Sequence, residues 1–573
     1  MSKEFQVSGT NKDALFTLKI YRGDGMALLA MNWKKGKPPK DFVGFAIEFK
    51  EPKNDKFFSI KNRLCFPTNN GDVNPNKLSS RLSPIQKFRW VHFPRNAELA
   101  GEFLYKVTPV FMNSQDELSY GEPQKAAIEL RRETYPRKLN VTFTRGFITS
   151  QAFVDRYGAD SIPTLLPAKA DGGLDFVPSF KKAKEALEWM GFEARSAILE
   201  VLDEAIADKK AQVRAVLYDL NEPGIVSRLE KLRKRLKVII DDDGAHGKPK
   251  SAETAAAKRL IKTAGKDNVL RQHMGKLQHN KIIVVDGPKV QAAVCGSTNH
   301  SWRGFFVQNN NAIVVRGKTA VKLFNSAFQD YWDNSTVAGF GVTNSARWNK
   351  LGLKGIDAEI GFSPRSKENA VLQSIADDIS DNTTSSLFFS LAFLYQTKGA
   401  IQDAVKKIKK DNQIFSYGIS DHAVKGLVGV AVQKPDGKVT LVRPEALRKN
   451  VPEPFKSEPT GGGGTRMHHK FIVIDFNQPT ARVYMGSYNF SVAADTSNGE
   501  NLLVIRDRKI ATSYVVEAIR LFDHYHFRVA QLEAKKAKKK LQLAKPPRKT
   551  GEKAWWADDY TNRRKILDRE LFA

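Results

Sequence analysis

Two stretches of this chain repeat the same series of residues about 190 positions apart, and this duplication constrains the fold more than any other feature. The first stretch reads QHNKIIVVDGPKVQAAVCGSTNHS, and the second reads MHHKFIVIDFNQPTARVYMGSYNFS. Both contain His-x-Lys, four apolar residues, an aspartate and, further on, Gly-Ser-x-Asn. One His-x-Lys pair is weak evidence, but two copies followed by the same second motif indicate two fused homologous halves.

The segments before each motif series also follow one order of strands and helices. In the first half, the strand LNVTFTRGFI precedes a helix over residues 179–207, the strand VRAVLYDL, the helix IVSRLEKLRKRL and the strand KVIIDDD. The second half repeats this order with DAEIGFSP, ENAVLQSIADDIS, SLFFSLAFLY, AIQDAVKKIKK and QIFSYGIS. Such alternation is typical of an α/β sheet with helices on its faces. We therefore predict two α/β halves, residues 136–350 and 351–530, that form one pseudo-symmetric body.

The two ends of the chain differ from this body. Residues 1–135 contain short alternating runs such as DALFTLKIYR and DFVGFAIEFK between turn-forming clusters, which predicts an all-β sandwich domain. Four aromatic residues are expected in its core: Phe88, Trp90, Phe103 and Tyr105. Residues 531–573 form a basic C-terminal tail, and its adjacent Trp555 and Trp556 predict that the tail docks onto the rest of the protein.

The repeated histidines and lysines are predicted to line one pocket. Side chains two residues apart on a strand share a face, so His279 and Lys281 point the same way. Their counterparts in the second copy are His468 and Lys470. The Gly-Ser-x-Asn segments add hydroxyl and amide groups, from Ser297, Asn299, Ser487 and Asn489. A pocket this rich in hydrogen-bond donors suits a phosphate diester. Its lysines would repel a metal ion, so we expect neither a metal nor another cofactor.

Two adjacent histidines stand at the second motif, and the repeat distinguishes them. Adjacent residues on a strand face opposite sides, so only one of the pair shares the face of Lys470. Alignment with the first copy selects His468. His469 is then expected to be a loop or surface histidine.

Two segments are expected to lie beside the pocket. The glycine run at 461–464 lacks the Gly-Lys-Ser/Thr of a phosphate-binding loop and is expected to provide flexibility near the substrate. The polar stretch at 242–269, before the first motif, is interpreted as a lid or as part of a binding groove.

The paired motifs resemble the phospholipase D superfamily, whose signature is a double HxKxxxxD followed by GSxN. The resemblance covers roughly residues 138–530, while the sandwich and the tail look similar to those of bacterial phospholipase D-like proteins. It implies two phospholipase D-like halves that form a metal-independent phosphodiesterase. In such an enzyme one histidine attacks phosphorus to form a phosphohistidine, and the other protonates the leaving oxygen.

The resemblance also implies roles for the remaining motif residues. The lysines and the Gly-Ser-x-Asn asparagines would stabilise the charged transition state. The two serines, Ser297 and Ser487, are expected to bind the substrate. The motif aspartates, Asp286 and Asp475, are expected to be structural.

The two copies differ at one position that bears on the histidines. Glu500 and Asn310 each lie eleven residues after a Gly-Ser-x-Asn asparagine, where relatives place a residue that holds a catalytic histidine. Pairing across the halves, as in relatives, sets Glu500 against His279 and Asn310 against His468. A carboxylate fixes the imidazole tautomer and favours a positively charged ring. We therefore predict that His279 is the nucleophile and His468 the acid, and that Asn310 also contacts the substrate.

The charge of the chain points to a polyanionic partner. Lysine and arginine number 92 against 62 acidic residues, a net charge of +30. Nucleic acid and an anionic phospholipid surface both fit this charge, and the basic stretch KPKSAETAAAKRLIKTAGK and the basic tail favour nucleic acid. We predict a nuclease for DNA or RNA. Hydrolysis or exchange of phospholipid headgroups stays open as an alternative, and so does a catalytically silent nucleic-acid-binding protein, although both motifs are intact.

The sequence also bears on location and assembly. The start MSKEFQVSGT lacks the pattern of a secretion signal, and the longest apolar runs are shorter than the ~20 residues of a membrane span. We expect a cytoplasmic protein without stable membrane insertion. Cys65 and Cys295 are expected to be free thiols, and a disulfide between them stays open. Because one chain contains both motifs, a monomer is sufficient for the pocket, and dimerisation stays open.

Overall fold

The structure is a computed structural model of the 573-residue chain. It describes residues 5–67, 75–94, 96–130, 133–146, 153, 156–158, 161–394, 398–424, 427–433, 439–442 and 467–573. The glycine run at 461–464, for which flexibility is predicted, lies outside these residues. Across the described parts of the chain, no helix is both long enough and apolar enough to cross a bilayer. Cys65 and Cys295 are buried and unpaired, as predicted for free thiols.

The N-terminal part forms two β-sheets that pack against each other. Its strands are β1 (Gln6–Ser8), β2 (Phe16–Arg22), β3 (Ala27–Trp33), β4 (Phe42–Lys50), β5 (Phe58–Ser59), β6 (Arg89–His92), β7 (Glu102–Met112), β8 (Leu118–Tyr120) and β9 (Gln124–Glu129). One sheet has the order β1-β2-β3-β6, and the other has the order β5-β4-β7-β8 with β9 also paired to β7. Phe88, Phe103 and Tyr105 lie in the core that the two sheets share, and Trp90 packs against it. The predicted β-sandwich is therefore confirmed.

The first α/β half is built on a seven-stranded sheet. Its strands are β10 (Leu139–Phe143), β11 (Gln212–Leu217), β12 (Leu236–Ile240), β13 (Val269–Arg271), β14 (Lys281–Asp286), β15 (Gln291–Gly296) and β16 (Asn311–Arg316). Their order is β10-β16-β15-β14-β11-β12-β13, which places the first His-x-Lys motif at the start of a central strand. The helices described in this half are α1 (Ile162–Leu165), α2 (Ala183–Ala207), α3 (Pro223–Leu232), α4 (Ala252–Ala264), α5 (Trp302–Phe306), α6 (Lys318–Asp333) and α7 (Val337–Gly341).

The second half repeats this arrangement. Its strands are β17 (Asn349–Lys350), β18 (Asp357–Ser363), β19 (Ser386–Leu391), β20 (Phe415–Val424), β21 (Leu427–Gln433), β22 (Val439–Val442), β23 (Lys470–Ile474), β24 (Arg482–Gly486) and β25 (Glu500–Arg506). The run β25-β24-β23-β19-β20 corresponds to β16-β15-β14-β11-β12 of the first sheet. The helices described here are α8 (Leu372–Asn382), α9 (Ala400–Lys410), α10 (Val492–Thr496) and α11 (Arg508–Lys536). One hydrophobic core includes buried residues of both halves, so the predicted pseudo-symmetric α/β body is confirmed.

Most of the stretch at 242–269, for which a lid or part of a binding groove is predicted, is a core helix and not a lid. Strands β12 and β13 are parallel neighbours, and α4 is the crossover helix that joins them. Ser251 caps this helix by accepting a hydrogen bond from the backbone of Thr254. Ala256 and Leu260 are fully buried in the core of the first half. The interpretation as a lid is wrong because an amphipathic helix of this kind belongs to the sheet that it covers.

The C-terminal tail packs onto the body, as its tryptophans predict. Trp556 is buried in the sandwich core, and Trp555 stacks on Phe88 with ring centroids 5.3 Å apart. The last helix, α12 (Arg563–Phe572), places Phe572 in the core that the two halves share. Because α11 continues to Lys536, the boundary predicted at residue 531 falls within a helix.

Candidate active site

The two His-x-Lys motifs meet between the halves. Strands β14 and β23 begin at Lys281 and Lys470, and the histidine of each motif lies two residues earlier. The rings of His279 and His468 have centroids 6.4 Å apart. Both side chains are almost fully enclosed, with 5% and 6% of their surface exposed. The structure thus brings the four residues into one pocket.

Each histidine is held by a residue of the opposite half. The Nδ1 atom of His279 lies 2.7 Å from Oε2 of Glu500, and the Nδ1 atom of His468 lies 2.7 Å from Oδ1 of Asn310. An imidazole that donates through Nδ1 keeps Nε2 for the pocket, and Nε2 is then the atom that can attack phosphorus or exchange a proton. The contacts across the halves are those that the sequence predicts.

Ser297, Ser487 and Asn310, for which contact with the substrate is predicted, already have hydrogen-bond partners within the protein. Ser297 Oγ donates to Asn310 Oδ1 at 3.0 Å, and Ser487 Oγ donates to Glu500 Oε2 at 2.6 Å. All three residues are fully buried, and the Asn310 amide also donates to the backbone carbonyl of Gly304. They lie behind the histidines and orient them, because their polar atoms are already engaged there.

The two lysines provide buried positive charge. The Nζ atoms of Lys281 and Lys470 donate to the carbonyl oxygens of His279 and His468, at 3.0 Å in the second motif. Neither lysine has more than 1% of its surface exposed. Burial lowers the pKa of Lys281 to about 8, against the opposing influence of negative charge on Glu500. Positive charge held in a poorly solvated pocket interacts strongly with an anionic substrate.

The surroundings of the two histidines disfavour a positive charge on either ring. Burial lowers the pKa of His279 and of His468 well below the ordinary value, and the charges of the two lysines act in the same direction. Burial raises the pKa of Glu500 to about 7, although the charge of Lys281 opposes this. For His279 this direction favours a neutral ring, whereas the sequence predicts a positively charged one. The neutral form is the one whose Nε2 lone pair can act as a nucleophile.

The glycine of each Gly-Ser-x-Asn segment is required by a close backbone approach. Gly296 and Gly486 have φ of 130° and 156°. A Cβ atom at these positions would lie 2.6 Å and 2.1 Å from the carbonyl oxygens of Asn311 and Asn501 on the neighbouring strand. Only glycine allows the chain to turn here and bring the following serine and asparagine to the pocket.

The asparagines of these segments contribute amide groups at the pocket. Two residues beyond each of them, Ser301 and Ser491 cap the short helices α5 and α10 and so fix the turn. Asn299 Nδ2 donates to Oδ2 of Asp219 at 2.6 Å. Among the described residues, the Oδ1 atoms of Asn299 and Asn489 have no hydrogen-bond partner. A bound substrate or water can satisfy them.

Comparison with known protein families agrees with this geometry. The family model described as cardiolipin synthase, PLD-like domain, matches residues 195–332 and 435–522, which contain both His-x-Lys motifs. This match and the relatives described next support a phospholipase D superfamily protein.

Individual relatives and a solved structure match different shares of the chain. A phospholipase D of Rickettsia typhi is 46% identical over 125 residues, which are 21% of this chain and 59% of that protein. A mitochondrial cardiolipin hydrolase of Xenopus tropicalis is 42% identical over 59 residues, 10% of this chain and 26% of that protein. The crystal structure of a phosphatidylserine synthase of Haemophilus influenzae matches with a TM-score of 0.41 and 12% identity, over 61% of this chain and 92% of that chain. The chain spans 22% to 59% of the length of the Rickettsia phospholipases D that it matches.

Further ionisable residues, which have no counterpart in the other repeat, lie beside the pocket. His246 lies between the carboxylates of Asp219 and Asp241, and Tyr218 packs between the rings of His246 and His279. An alignment of the two repeats does not identify these residues, because it selects only residues that occur in both copies. The sequence nevertheless contains a usable signal, because Asp219 and Asp241 follow the ends of β11 and β12, which are two adjacent buried strands.

His469, expected to be a loop or surface histidine, precedes β23 and is not on the surface. Its side chain is fully buried, and its ring packs edge-on against Phe143 and Phe471. Its Nε2 atom lies 3.1 Å from Oε1 of the buried Glu517 on α11. The ring does point away from the pocket, as strand alternation predicts, but that face of the sheet is covered by the shared core rather than by solvent.

The motif aspartates lie at strand ends, outside the pocket. Asp475 is fully buried and accepts hydrogen bonds from the backbone N–H groups of Thr384, Ser385 and Ser386. Asp286 is half-buried, and its nearest polar contact is the amide of Asn325 at 3.0 Å. Asp475 therefore satisfies several backbone groups of the fold, whereas Asp286 contacts side chains at its strand end.

Proposed function

We propose that this protein is a metal-independent phosphodiesterase in which His279 is the nucleophile and His468 the general acid and base. The observation that carries the proposal is the pair of imidazoles held through Nδ1 by Glu500 and Asn310, which keeps both Nε2 atoms for one pocket. The pocket is also lined with buried lysine ammonium groups, which suit the phosphoryl oxygens of a diester.

In the first step, the Nε2 lone pair of His279 attacks phosphorus. The bond from phosphorus to the leaving oxygen breaks, and His468 gives that oxygen the proton from its Nε2. Glu500 stabilises the positive charge that develops on the His279 ring. The products of this step are the departing alcohol and a phosphohistidine.

In the second step, water enters and His468 accepts its proton. The new bond from oxygen to phosphorus forms while the bond from phosphorus to His279 breaks, which restores the neutral imidazole. An alcohol in place of water gives headgroup or strand exchange by the same route. Lys281 and Lys470 stabilise the equatorial oxygens in both steps.

His468 must gain a proton before it can act as an acid. Burial and the charges of Lys470 and Lys281 lower its pKa in the free protein. A bound phosphate diester carries a negative charge that offsets these lysine charges, so binding raises the pKa of His468 toward the range in which a proton is available. Substrate binding thus favours the protonated form of His468, which is the form that acts as the general acid.

Nucleic acid is the substrate that we propose first. The net charge of +30 favours a polyanion with repeated phosphates over a single headgroup. Lys276 and Asp243 line a cavity of about 440 Å³ that also borders Asn489, and Lys276 is the group there that would meet a flanking phosphate.

Phospholipid is a second candidate, and a specific cavity favours it. A pocket of about 380 Å³ also borders Asn489 and is lined mainly by apolar side chains, including Leu391, Leu394, Ile401, Phe490 and Val492. An apolar pocket beside a phosphate site suits the glycerol and acyl part of a lipid. The names of the relatives, phospholipase D and cardiolipin hydrolase, point to the same class.

Paired assays with EDTA present distinguish the candidates. We expect cleavage of plasmid or single-stranded DNA, weaker or no hydrolysis of labelled phosphatidylcholine vesicles, and no activity in His279→Ala or His468→Ala. Hydrolysis of the lipid alone would select the second candidate. Activity that requires added metal and survives both substitutions would refute the whole site assignment.

The pH dependence of kcat/KM is expected to report on Glu500. Ionised Glu500 accepts from Nδ1 of His279 and leaves the Nε2 lone pair in the pocket, so the rate should rise with pH through an inflection near 7, the pKa of this carboxyl. In Glu500→Gln the inflection should disappear, and the rate at pH 8 should fall by about 10²-fold. Glu517→Gln is the matched control, because Glu517 is also a buried partner of a histidine but lies outside the pocket. An unchanged inflection in Glu500→Gln would show that another group titrates.

A further inference from the structure

We propose that His246 is a positioning residue that holds the first-half motif through two carboxylates. Its Nε2 atom lies 3.1 Å from Oδ1 of Asp219, and its Nδ1 atom lies 2.8 Å from Oδ2 of Asp241. Because both ring nitrogens face carboxylate oxygens, the ring is held as an imidazolium that donates through each nitrogen. We call Asp219, His246 and Asp241 the His246 clamp.

Each carboxylate of the His246 clamp also contacts the active site. Asp219 accepts a hydrogen bond through Oδ2 from the amide of Asn299, at 2.6 Å. Asp241 accepts through Oδ1 from the backbone N–H of Gln278, the residue before His279, also at 2.6 Å. One cation thereby links the asparagine of the Gly-Ser-x-Asn segment to the backbone that carries the proposed nucleophile.

Tyr218 extends the contact to the nucleophile itself. Its ring centroid lies 4.5 Å from that of His246 and 4.7 Å from that of His279. The Nζ atom of Lys281 lies 4.7 Å from the same ring. A movement of His246 would therefore change the packing of both His279 and Lys281 without a direct contact to either.

The charges around His246 favour its protonated form. The favourable charges are those of Asp219 and Asp241, at the ends of β11 and β12, and of Glu253 on α4. Arg271 on β13 carries the opposite charge, and its guanidinium donates to the His246 carbonyl. Burial opposes the charged ring, but the hydrogen bonds to Asp219 and Asp241 raise the pKa of His246 to about 10. The His246 clamp therefore persists at neutral pH.

A divalent cation is the competing occupant of this place. Ligand atoms of Asp219, His246 and Glu253 lie within 4.8 Å of one another. A metal ion needs a neutral imidazole with a lone pair directed at it. Here both ring nitrogens are at hydrogen-bond distance from carboxylates, so the geometry favours the imidazolium.

The matching position of the second half carries an apolar residue. Leu217 pairs with Lys281 and Leu391 pairs with Lys470, so Asp219, two residues after Leu217, corresponds to Phe393. A phenyl ring cannot accept a hydrogen bond from Asn489 as Asp219 does from Asn299. The contact thus belongs to the half that carries the proposed nucleophile.

The protonation of His246 is testable without any activity. In ¹⁵N-histidine NMR spectra at pH 8, one of the ten histidines should show both ring nitrogens protonated, and this signal should be absent from His246→Gln. A singly protonated His246 at this pH would overturn the proposal. So would a shift of its signals on addition of Mn²⁺ or Zn²⁺, which would assign a metal site instead.

The kinetic consequence rests on the proposed phosphodiesterase activity. With bis(p-nitrophenyl) phosphate as the probe, His246→Gln should lower kcat by about 10–100-fold while KM changes little, since the variant misplaces reacting groups without removing them. His273→Gln is the matched control, because the half-exposed His273 pairs with Asp242 at 2.8 Å and should change neither constant. An unchanged kcat in a folded His246→Gln would overturn the proposal. If the wild type fails to hydrolyse the probe, the proposed phosphodiesterase function is refuted. The NMR spectra still show in that case whether His246 is the imidazolium of the His246 clamp.

Discussion

With bis(p-nitrophenyl) phosphate, the His468→Ala variant is expected to release one equivalent of p-nitrophenol per protein and then stall. This substrate has a leaving group that needs no acid, so His279 can still attack phosphorus in the first step. The second step lacks the base that activates water, so the phosphohistidine accumulates. Steady-state turnover should fall by about 10³–10⁴-fold. Stopped-flow absorbance measures the burst, and mass spectrometry under alkaline conditions maps the phosphoryl group.

The twin substitution serves as the control. His279→Ala retains His468, Lys281 and Lys470 but lacks the proposed nucleophile, so it should show neither a burst nor a covalent adduct. A burst in His279→Ala, with the adduct on His468, would reverse the roles of the two histidines. The absence of a burst in both variants, beside an active wild type, would exclude the covalent route.

Replacement of Asp475 by alanine is expected to lower the free energy of unfolding by about 2–4 kcal/mol. Its carboxylate accepts hydrogen bonds from three consecutive backbone N–H groups at the start of β19, and the substitution leaves them without an acceptor. Asp286→Ala should cost about 1 kcal/mol or less, because this half-buried carboxylate contacts side-chain amides that water can solvate.

Urea denaturation of the two variants measures this difference. The comparison is internally matched, because the same change is made at equivalent positions of the two repeats. Neither aspartate lies in the pocket, so kcat of the folded fraction should stay near that of the wild type in both variants. Equal losses of stability would contradict the interpretation, and a selective loss of kcat in Asp475→Ala would assign this residue a role in the chemistry.

The repeat made much of the site predictable. Each of His279, Lys281 and their counterparts has a twin at the same spacing, and strand alternation then places histidine and lysine on one face. The exchange of Glu500 for Asn310 was visible for the same reason. The α/β order of each half and the sandwich also follow from local patterns of apolar residues, which report on the faces that elements bury.

Other parts of the site depend on packing that the local sequence does not encode. His246 has no counterpart in the second repeat, and it lies in a polar stretch whose composition resembles that of an insertion. Asp219 and Asp241 reach its two ring nitrogens only because β11 and β12 are neighbours in the folded sheet. His469 was misplaced because strand alternation tells which side a residue faces but not what covers that side. Ser297 and Ser487 follow the motif spacing, yet the turn at each glycine directs their hydroxyls behind the histidines.

The contacts of Glu500 and Asn310 across the halves have a consequence for how the two repeats can change. In a symmetric dimer of identical subunits, one codon specifies both positions, so both histidines receive the same partner. A fused chain encodes the two positions separately, which allows a carboxylate behind one ring and an amide behind the other. A chain assembled from two copies of the first half would place Asn310 behind both histidines, and neither ring would have a carboxylate.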